Sequence, residues 1–177
     1  MKKVLFGAAI AIGLFSACSK NEKNGVSDVA PENTFSLNSG NPVETPFGFR
    51  AQWSATGGGR LLISNVNVND PSFAGKITGI EITIDTLIEG QTYMFMPADS
   101  LPFDKKKNFG IATTGLDVDF QNGAIVNGTG TSLTELRSGS VRIEKESDQV
   151  FRISYILDYT DAVIQGNYKG QMPEVTE

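Results

Sequence analysis

The sequence predicts an all-β fold, a single antiparallel β-sandwich or closed β-barrel of about ten strands. From Thr34 onward, apolar residues recur with a period of two, which is typical of half-buried strands. Nowhere in this part do they recur at helical spacing over about eleven positions. The 19 glycines, together with many Asn, Asp, Ser and Thr residues, supply the turns that such a fold needs.

Residues 1–17 have the pattern of a secretory signal peptide. A short basic start is followed by an apolar stretch, up to Ala17, that is too short to span a bilayer. The run Phe15-Ser16-Ala17-Cys18 resembles a bacterial lipoprotein lipobox, although Phe15 replaces the commoner leucine. The resemblance implies cleavage between Ala17 and Cys18, and lipid on the sulfur and the amine of Cys18.

Cys18 is the only cysteine of the chain, so no disulfide can form within it even though the chain is exported. Acylation gives this thiol a role, because each buried methylene contributes roughly 0.8 kcal/mol and about two acyl chains make anchoring stable. We therefore expect a covalent lipid on Cys18, a membrane partner through that lipid, and no other cofactor. The alternative is an ordinary secretory signal peptide followed by a chance cysteine.

Residues 18–33 are predicted to be a flexible tether, because they are polar and contain a glycine and a proline. Lys20 and Glu22 resemble the charged export signals of Bacteroidota surface lipoproteins, with Asn21 interrupting the match. The resemblance implies an outer-membrane location, on the cell surface rather than on the periplasmic face. A solvated linker without a targeting role is the alternative.

The composition excludes several classes of function. Without residues 1–17, which contain Lys2 and Lys3 and no acid, 13 basic and 20 acidic residues remain, a net charge of −7. This balance argues against a nucleic-acid partner, which needs basic patches on the protein. The chain has no histidine, so it offers no imidazole for general-base catalysis or zinc binding. We expect one domain over residues 34–177, with no catalytic residues and no metal site.

The first strands are predicted from their alternation. Four residues at every second position are expected to face the core: Phe47, Phe49, Ala51 and Trp53. A glycine turn leads into a strand over residues 60–68, and three alternating isoleucines mark the next strand: Ile80, Ile82 and Ile84.

The middle of the chain contains a strand over residues 92–96 that is apolar on both faces, through Tyr93, Phe95 and two methionines. This pattern predicts either a central strand covered on both sides or a patch that faces a partner. Residues 97–108, with two prolines and three consecutive lysines, are predicted to form a polar loop.

The next strand is predicted from Leu116, Val118 and Phe120, which alternate with two aspartates. The run Gln121-Asn122-Gly123 then indicates a hairpin turn.

Residues 140–170 predict a three-stranded meander with short turns at 147–148 and 160–161. The residues expected on its inner face are Val141, Ile143, Phe151, Ile153, Tyr155, Leu157, Tyr159, Ile164, Gly166, Tyr168 and Gly170. Ile156 is the one apolar residue expected on the outer face of the second strand.

These three strands, and the upstream run of residues 87–93, Leu-Ile-Glu-Gly-Gln-Thr-Tyr, resemble small Bacteroidota outer-membrane lipoproteins with a C-terminal β-domain and no established role. With the lipobox, the likeness covers about half of the chain. It implies a β-sandwich or barrel on the cell envelope and transfers no catalytic residue.

Two polar clusters are candidate binding or catalytic groups. Asn65, Asn67 and Asn69 lie at alternate positions beside an aspartate and have oxygens suitable for Ca²⁺, but a polar strand edge leading into a turn is favoured. Asp117 and Asp119 are a candidate carboxylate pair for glycoside hydrolysis, and an ordinary solvated strand face explains them as well.

Two tripeptides resemble the O-glycosylation signal of exported Bacteroidota proteins. They are Asp85-Thr86-Leu87 and Asp99-Ser100-Leu101, and they make Thr86 and Ser100 candidate acceptors. Ser100 is the better one, because prolines flank its loop. A sugar there would be bulky and solubilising rather than catalytic.

The function expected from these patterns is that of a lipid-anchored, non-enzymatic binding or accessory module, with a glycan or an envelope protein as its candidate partner. One alternative is a lipocalin-like carrier, which requires vacant inward positions around a cavity. A carboxylate-based glycan hydrolase that uses Asp117 or Asp119 is the other.

Overall fold

The computed structural model describes residues 31–52 and 57–175, and within these ranges the chain forms strands and no helix. The strands, in chain order, are β1 (Thr34–Leu37), β2 (Val43–Glu44), β3 (Phe47–Gln52), β4 (Gly59–Ser64), β5 (Gly75–Ile84), β6 (Thr92–Phe95), β7 (Asn108–Phe109), β8 (Ile111–Gln121), β9 (Ala124–Ile125), β10 (Thr131–Leu133), β11 (Leu136–Lys145), β12 (Val150–Tyr159) and β13 (Val163–Gln171). Of the strands in the described ranges, β2, β7, β9 and β10 have only two or three residues. The prediction of an all-β domain with about ten strands is confirmed.

The strands form two sheets that pack face to face. Sheet A has the order β2-β1-β13-β12-β11-β6-β7, and sheet B has the order β10-β8-β5-β4-β3, with β9 also paired to β8. The sheets meet at both sides: β7 in sheet A leads through Gly110 into β8 in sheet B, and β3 contacts β13. The pairing is antiparallel except for the short β6–β7 pair and a parallel bridge between Arg50 and Glu174. The result is a barrel-like β-sandwich.

Aromatic and branched side chains fill the space between the sheets. The largest fully buried ones are Tyr93, Tyr159, Tyr168, Phe35, Phe109, Phe151, Ile63, Ile80, Ile82, Ile84, Ile143 and Ile153. They belong to one continuous apolar cluster to which both sheets contribute. Burial of this surface is the main stabilising contribution in such a fold.

The C-terminal meander is confirmed. Strands β11, β12 and β13 are consecutive neighbours in sheet A, and their predicted inner face is buried except at Gly170, which is half-buried. Ile156 is exposed, as predicted. The last residues of the predicted tether also contact this sheet, because the Asn33 side-chain oxygen accepts a hydrogen bond from the Lys169 backbone N–H at 2.6 Å.

The prediction that Phe47 and Phe49 pack in the core between the sheets is wrong for Phe47, which is exposed. Phe49 is buried, as predicted, but it does not belong to the cluster between the sheets. Gly48 faces the core instead, since a Cβ atom on it would lie 2.5 Å from the ring of Tyr168. That ring occupies the space above the glycine, so the alternation of β3 places Phe47 and Phe49 on the outer face of sheet B. Trp53 lies outside the described residues.

Arg50 lies on the inner side of β3, together with Gly48. Its guanidinium carbon is 5.3 Å from the centroid of the Phe151 ring, and its Nε donates a hydrogen bond to the Met172 carbonyl at 3.1 Å. A cation over an aromatic ring is a favourable arrangement, and it lets a charged residue cover the edge of the core.

Strand β6 is apolar on both faces but is covered on only one. Tyr93 is fully buried, whereas Met94 is largely exposed on the outer face of sheet A. Residues 97–107 form a loop, as predicted, before β7 begins at Asn108.

Candidate functional site

The outer face of sheet B contains a groove of about 250 Å³. Nine residues line it, and we call it the outer groove: Leu62, Ile77, Gly79, Glu81, Thr113, Gly115, Val118, Ile125 and Ser132. Because even-numbered isoleucines of β5 fill the core, the odd-numbered Ile77, Gly79 and Glu81 point away from it. The outer groove is therefore built on the surface that a sandwich normally exposes to water.

Two paired glycines form the floor of the outer groove. Gly79 of β5 lies opposite Gly115 of β8, and Gly115 lies opposite Ser132 of β10. A Cβ atom on Gly115 would have one neighbour within 4 Å, the Val118 Cγ2 at 3.2 Å, so it would fit if this valine shifted by a few tenths of an ångström. Glycine in a strand often marks a place where another group approaches the backbone.

A β-bulge in β8 forms the apolar wall of the outer groove. Gly79 pairs with Gly115 and Ile77 with Val118, so Leu116 and Asp117 together oppose Thr78 alone. Asp117 has the left-handed φ of 52° that accommodates the extra residue. The bulge reverses the face of every later residue of β8.

The strand predicted from Leu116, Val118 and Phe120 is present as β8, but the bulge places these three residues on different faces. Leu116 packs against the core between the sheets, whereas Val118 and Phe120 join Ile77 in a second apolar cluster outside it. This cluster is covered by Val66, Val68 and Phe73 from the loop after β4, with the Phe73 and Phe120 ring centroids 6.0 Å apart. The wall of the outer groove is thus fixed by a small core of its own.

The opposite side of the outer groove is polar. It carries the Glu81 carboxylate and the hydroxyls of Thr113 and Ser132, and an Arg60 Nη1 lies 3.7 Å from the Glu81 Oε2. Exposed apolar side chains lie beside this polar rim and at the apolar wall: Ile111 and Ile125 are each 57% exposed. A surface of this kind suits an apolar group that carries a polar or cationic neighbour.

Most of the polar side chains considered from the sequence are engaged in local structure. The exception is the Asn69 Oδ1, which is buried without a hydrogen-bond partner among the described residues, although its Nδ2 donates to the Glu174 carbonyl at 3.2 Å. Asn65 Oδ1 accepts a hydrogen bond from the Thr78 N–H at 2.8 Å, and Asn67 Oδ1 accepts one from the Asn69 N–H at 3.1 Å. Asp70 Oδ1 accepts from the N–H and hydroxyl of Ser72, which lowers the Asp70 pKa. Residues 65–74 are a loop rather than a continuation of β4.

The two aspartates of β8 also have partners. Asp119 Oδ1 lies 2.6 Å from the Lys76 Nζ, and the Thr78 hydroxyl donates to Asp117 Oδ1 at 3.4 Å and accepts from the Asp117 N–H at 2.9 Å. Within the described residues there is no group of three or more His, Cys, Asp or Glu side chains that could hold a metal ion.

The remaining predicted sites are dispersed. Thr86 lies in the turn after β5, where its carbonyl accepts a hydrogen bond from the Tyr93 hydroxyl at 2.8 Å. Ser100 lies in the 97–107 loop and is half-buried. Ala17 and Cys18 lie outside the described residues, in which no helix is long and apolar enough to cross a membrane.

Sequence reasoning missed the outer groove as a site. Its floor depends on Gly79 and Gly115 lying side by side, and only the strand register shows this. Glycines inside two apolar strands were the available signal. Comparison with known proteins finds no matching family model, no matching curated protein and no matching solved structure. Fold and site together define a β-sandwich with an apolar groove on one outer face.

Proposed function

We propose that this chain is a non-enzymatic binding module of the cell envelope, held by lipid on Cys18 and displayed on the outer membrane, and that the outer groove receives an apolar side chain of a protein partner. The observation that carries the proposal is the apolar, concave outer face of sheet B. Apolar patches rimmed by polar residues mark interaction surfaces.

The size and lining of the outer groove favour a protein side chain over a glycan. Its volume of about 250 Å³ is below the usual range for whole small-molecule ligands and suits a single anchoring side chain. Its lining combines aliphatic side chains and glycine backbone with the polar Glu81, Thr113 and Ser132, and it contains no aromatic ring on which a sugar would stack.

Charge favours a cationic segment around that anchor. The chain from Cys18 onward has a net charge of −7, and Glu81, which Arg60 partly neutralises at 3.7 Å, is the one charged residue that lines the outer groove. Complementary potentials accelerate encounter and select among partners.

The other two functions have less support. A carrier needs space between the sheets, but the inward positions of the described strands hold packed tyrosine, phenylalanine and isoleucine side chains. A hydrolase needs two carboxylates facing one cleft, whereas Asp119 is paired with Lys76 and Asp117 is engaged with Thr78.

Site-specific photo-crosslinking in intact cells tests the binding surface. A benzophenone amino acid is placed at Ser132, on the rim of the outer groove, or at Ser154, on the outer face of sheet A. We expect a protein adduct from position 132 that disappears when Gly115→Val fills the floor, and none from position 154. Equal adducts from both positions, or an adduct that survives Gly115→Val in a folded variant, would overturn the proposed surface.

Anchoring and display are tested separately. Intact cells are treated with protease, and the mass of the mature N-terminus is measured in the wild type and in Cys18→Ser. We expect an acylated Cys18, release of the Cys18→Ser protein from the membrane, and cleavage of the wild-type protein on intact cells. Protection on intact cells, with cleavage after lysis, would place the domain on the periplasmic face.

A further inference from the structure

The 97–107 loop holds a single apolar residue fully in solvent. Leu101 is 96% exposed, the highest value among the large apolar side chains of the described residues. Pro102 beside it is also exposed, and Phe103 is half-buried at the base. The side chain of Leu101 therefore contributes nothing to the packing of the fold.

Hydrogen bonds within the loop hold this tip in place. The N–H of Ser100 donates to the Pro97 carbonyl at 2.9 Å, and the N–H of Phe103 donates to the Ser100 carbonyl at 3.0 Å. At the base, the buried Asn108 side chain accepts from the Asp104 N–H at 2.9 Å and donates to the Met94 carbonyl at 3.2 Å. A loop with so many internal bonds presents its tip in a defined direction.

Three exposed lysines follow the tip. Lys107 lies 3.6 Å from the Asp104 carboxylate, while Lys105 and Lys106 have no ion-pair partner among the described residues. The loop also contains the exposed Asp99 and the half-buried Asp104, so its three lysines leave residues 97–107 with a net charge of +1, on a chain whose net charge from Cys18 onward is −7. An exposed leucine beside lysines is the combination that lets a loop enter the headgroup region of an anionic bilayer.

We propose that the 97–107 loop docks on an anionic membrane surface, with Leu101 in the interface and Lys105 and Lys106 on headgroup phosphates. The loop sets the orientation of the domain, because the negative charge elsewhere is repelled from the same surface. The proposal relies on the proposed lipid anchor only for nearness to a membrane. Thirteen residues, 18–30, lie between Cys18 and the described fold.

A chain of residues 18–177 with Cys18→Ser, which has no lipid and no other cysteine, makes the test independent of anchoring. Leu101→Cys in this background is labelled with a polarity-sensitive dye, and Ile156→Cys on the outer face of sheet A is the matched control. The probes are phosphatidylcholine vesicles with and without phosphatidylglycerol. We expect a blue shift of the dye at position 101 with the anionic vesicles only, and no shift at position 156.

Sedimentation with the same vesicles measures binding without a dye. We expect Lys105→Gln with Lys106→Gln, or Leu101→Ser, to lower the bound fraction about tenfold, and Lys145→Gln with Ile156→Ser to leave it unchanged. Equal shifts at positions 101 and 156, no preference for anionic vesicles, or full binding by the loop variants would each overturn the proposal. A failure of the crosslinking or acylation experiments would leave these results unaffected.

Discussion

The outer faces of the two sheets differ in the residue types that form them. On sheet A, mostly polar and charged residues alternate with the core residues, with exposed apolar exceptions such as Met94 and Ile156, of which Ile156 lines a hollow of about 180 Å³. Five of the charged residues form a chain of ion pairs across β11, β12, the turn between them and β13: Arg142, Glu144, Arg152, Glu146 and Lys169. On sheet B, the outer face carries Leu62, Ile77 and Val118 and has two glycines as its floor. The outer face of sheet A is mainly a solvated polar surface, whereas the outer face of sheet B is apolar and concave, as interaction surfaces are.

The largest expected difference in stability between the two sheets comes from placing one aspartate on the outer face of each. Val118→Asp should lower the free energy of unfolding by about 3 kcal/mol or more, because Val118 is only 3% exposed and its pocket offers no cation. Ile156→Asp on sheet A should change it by about 0.5 kcal/mol at most, because water reaches that position. Urea unfolding of both variants measures the difference. A small effect of Val118→Asp would mean that the second cluster is not a core.

The glycines give the next largest effect. A Cβ atom on Gly166 of sheet A would lie 2.6 Å from Phe35 Cβ, the Thr34 carbonyl oxygen and the Tyr155 hydroxyl, so Gly166→Ala should cost about 1–3 kcal/mol by overpacking. Gly115→Ala on sheet B should cost much less, since its Cβ would meet only the Val118 Cγ2 at 3.2 Å, a small shift of that side chain relieves the contact, and alanine restricts the unfolded chain. Thermal unfolding of the pair is the measurement. Equal losses would contradict an open floor.

Two tyrosines of β12 test how hydroxyl groups are accommodated in the core between the two sheets. The Tyr159 hydroxyl is 3.1 Å from the Thr114 hydroxyl of sheet B, so Tyr159→Phe leaves the buried Thr114 without this partner and should cost about 1–2 kcal/mol. The Tyr155 hydroxyl is buried without a hydrogen-bond partner, so Tyr155→Phe should be neutral or stabilising. Urea unfolding decides. A loss for Tyr155→Phe like that for Tyr159→Phe would indicate a partner of the Tyr155 hydroxyl.

The same residues predict a decline of stability at alkaline pH. Burial raises the pKa of Tyr159 to about 12 and raises that of Tyr155 further, whereas in the unfolded chain both pKa values are about 10. Because the folded pKa is the higher one, the contribution to stability is complete below about pH 10 and is lost as the pH rises towards 12. Tyr155→Phe should make this decline shallower. An unchanged slope in a pH series of urea unfolding would contradict the assignment.

How far the sequence predicts this structure depends on what faces each strand. Alternation predicted β11 to β13 correctly because most of their outer positions are polar. Only one of the two sets of alternate positions is mainly apolar, and that set must face the core. In β3 the residues that alternate with the phenylalanines are Gly48 and Arg50. Nothing in the local sequence reveals that the Tyr168 ring covers Gly48 or that the Phe151 ring lies beneath Arg50. Apolar residues on the outer face of sheet B therefore reversed the prediction for β3.

The outer groove was beyond prediction for a related reason. The bulge at Leu116 and Asp117 moves Val118 and Phe120 to the outer face, and bulges leave little trace in a single sequence. The floor needs Gly79 beside Gly115, a relation set by register across two strands. The lipid on Cys18, the surface location and the glycosylation of Ser100 or Thr86 depend on sequence motifs and stay predictions.

The smallest expected effect is on the ion pairs of sheet A. Arg152 donates a hydrogen bond to Glu146 at 2.8 Å, and this bond, with a smaller contribution from Lys169, holds the pKa of Glu146 below its ordinary value of 4.5. A lowered pKa means that the stabilisation is present at neutral pH and is lost as the pH falls through that pKa. Arg152→Gln should therefore shift the unfolding midpoint only slightly at neutral pH, and not at all in high salt, because the pair is exposed and screened. A large shift that persists in salt would mean that the outer face of sheet A is not simply a solvated surface, and the contrast with sheet B would then rest on the outer groove alone.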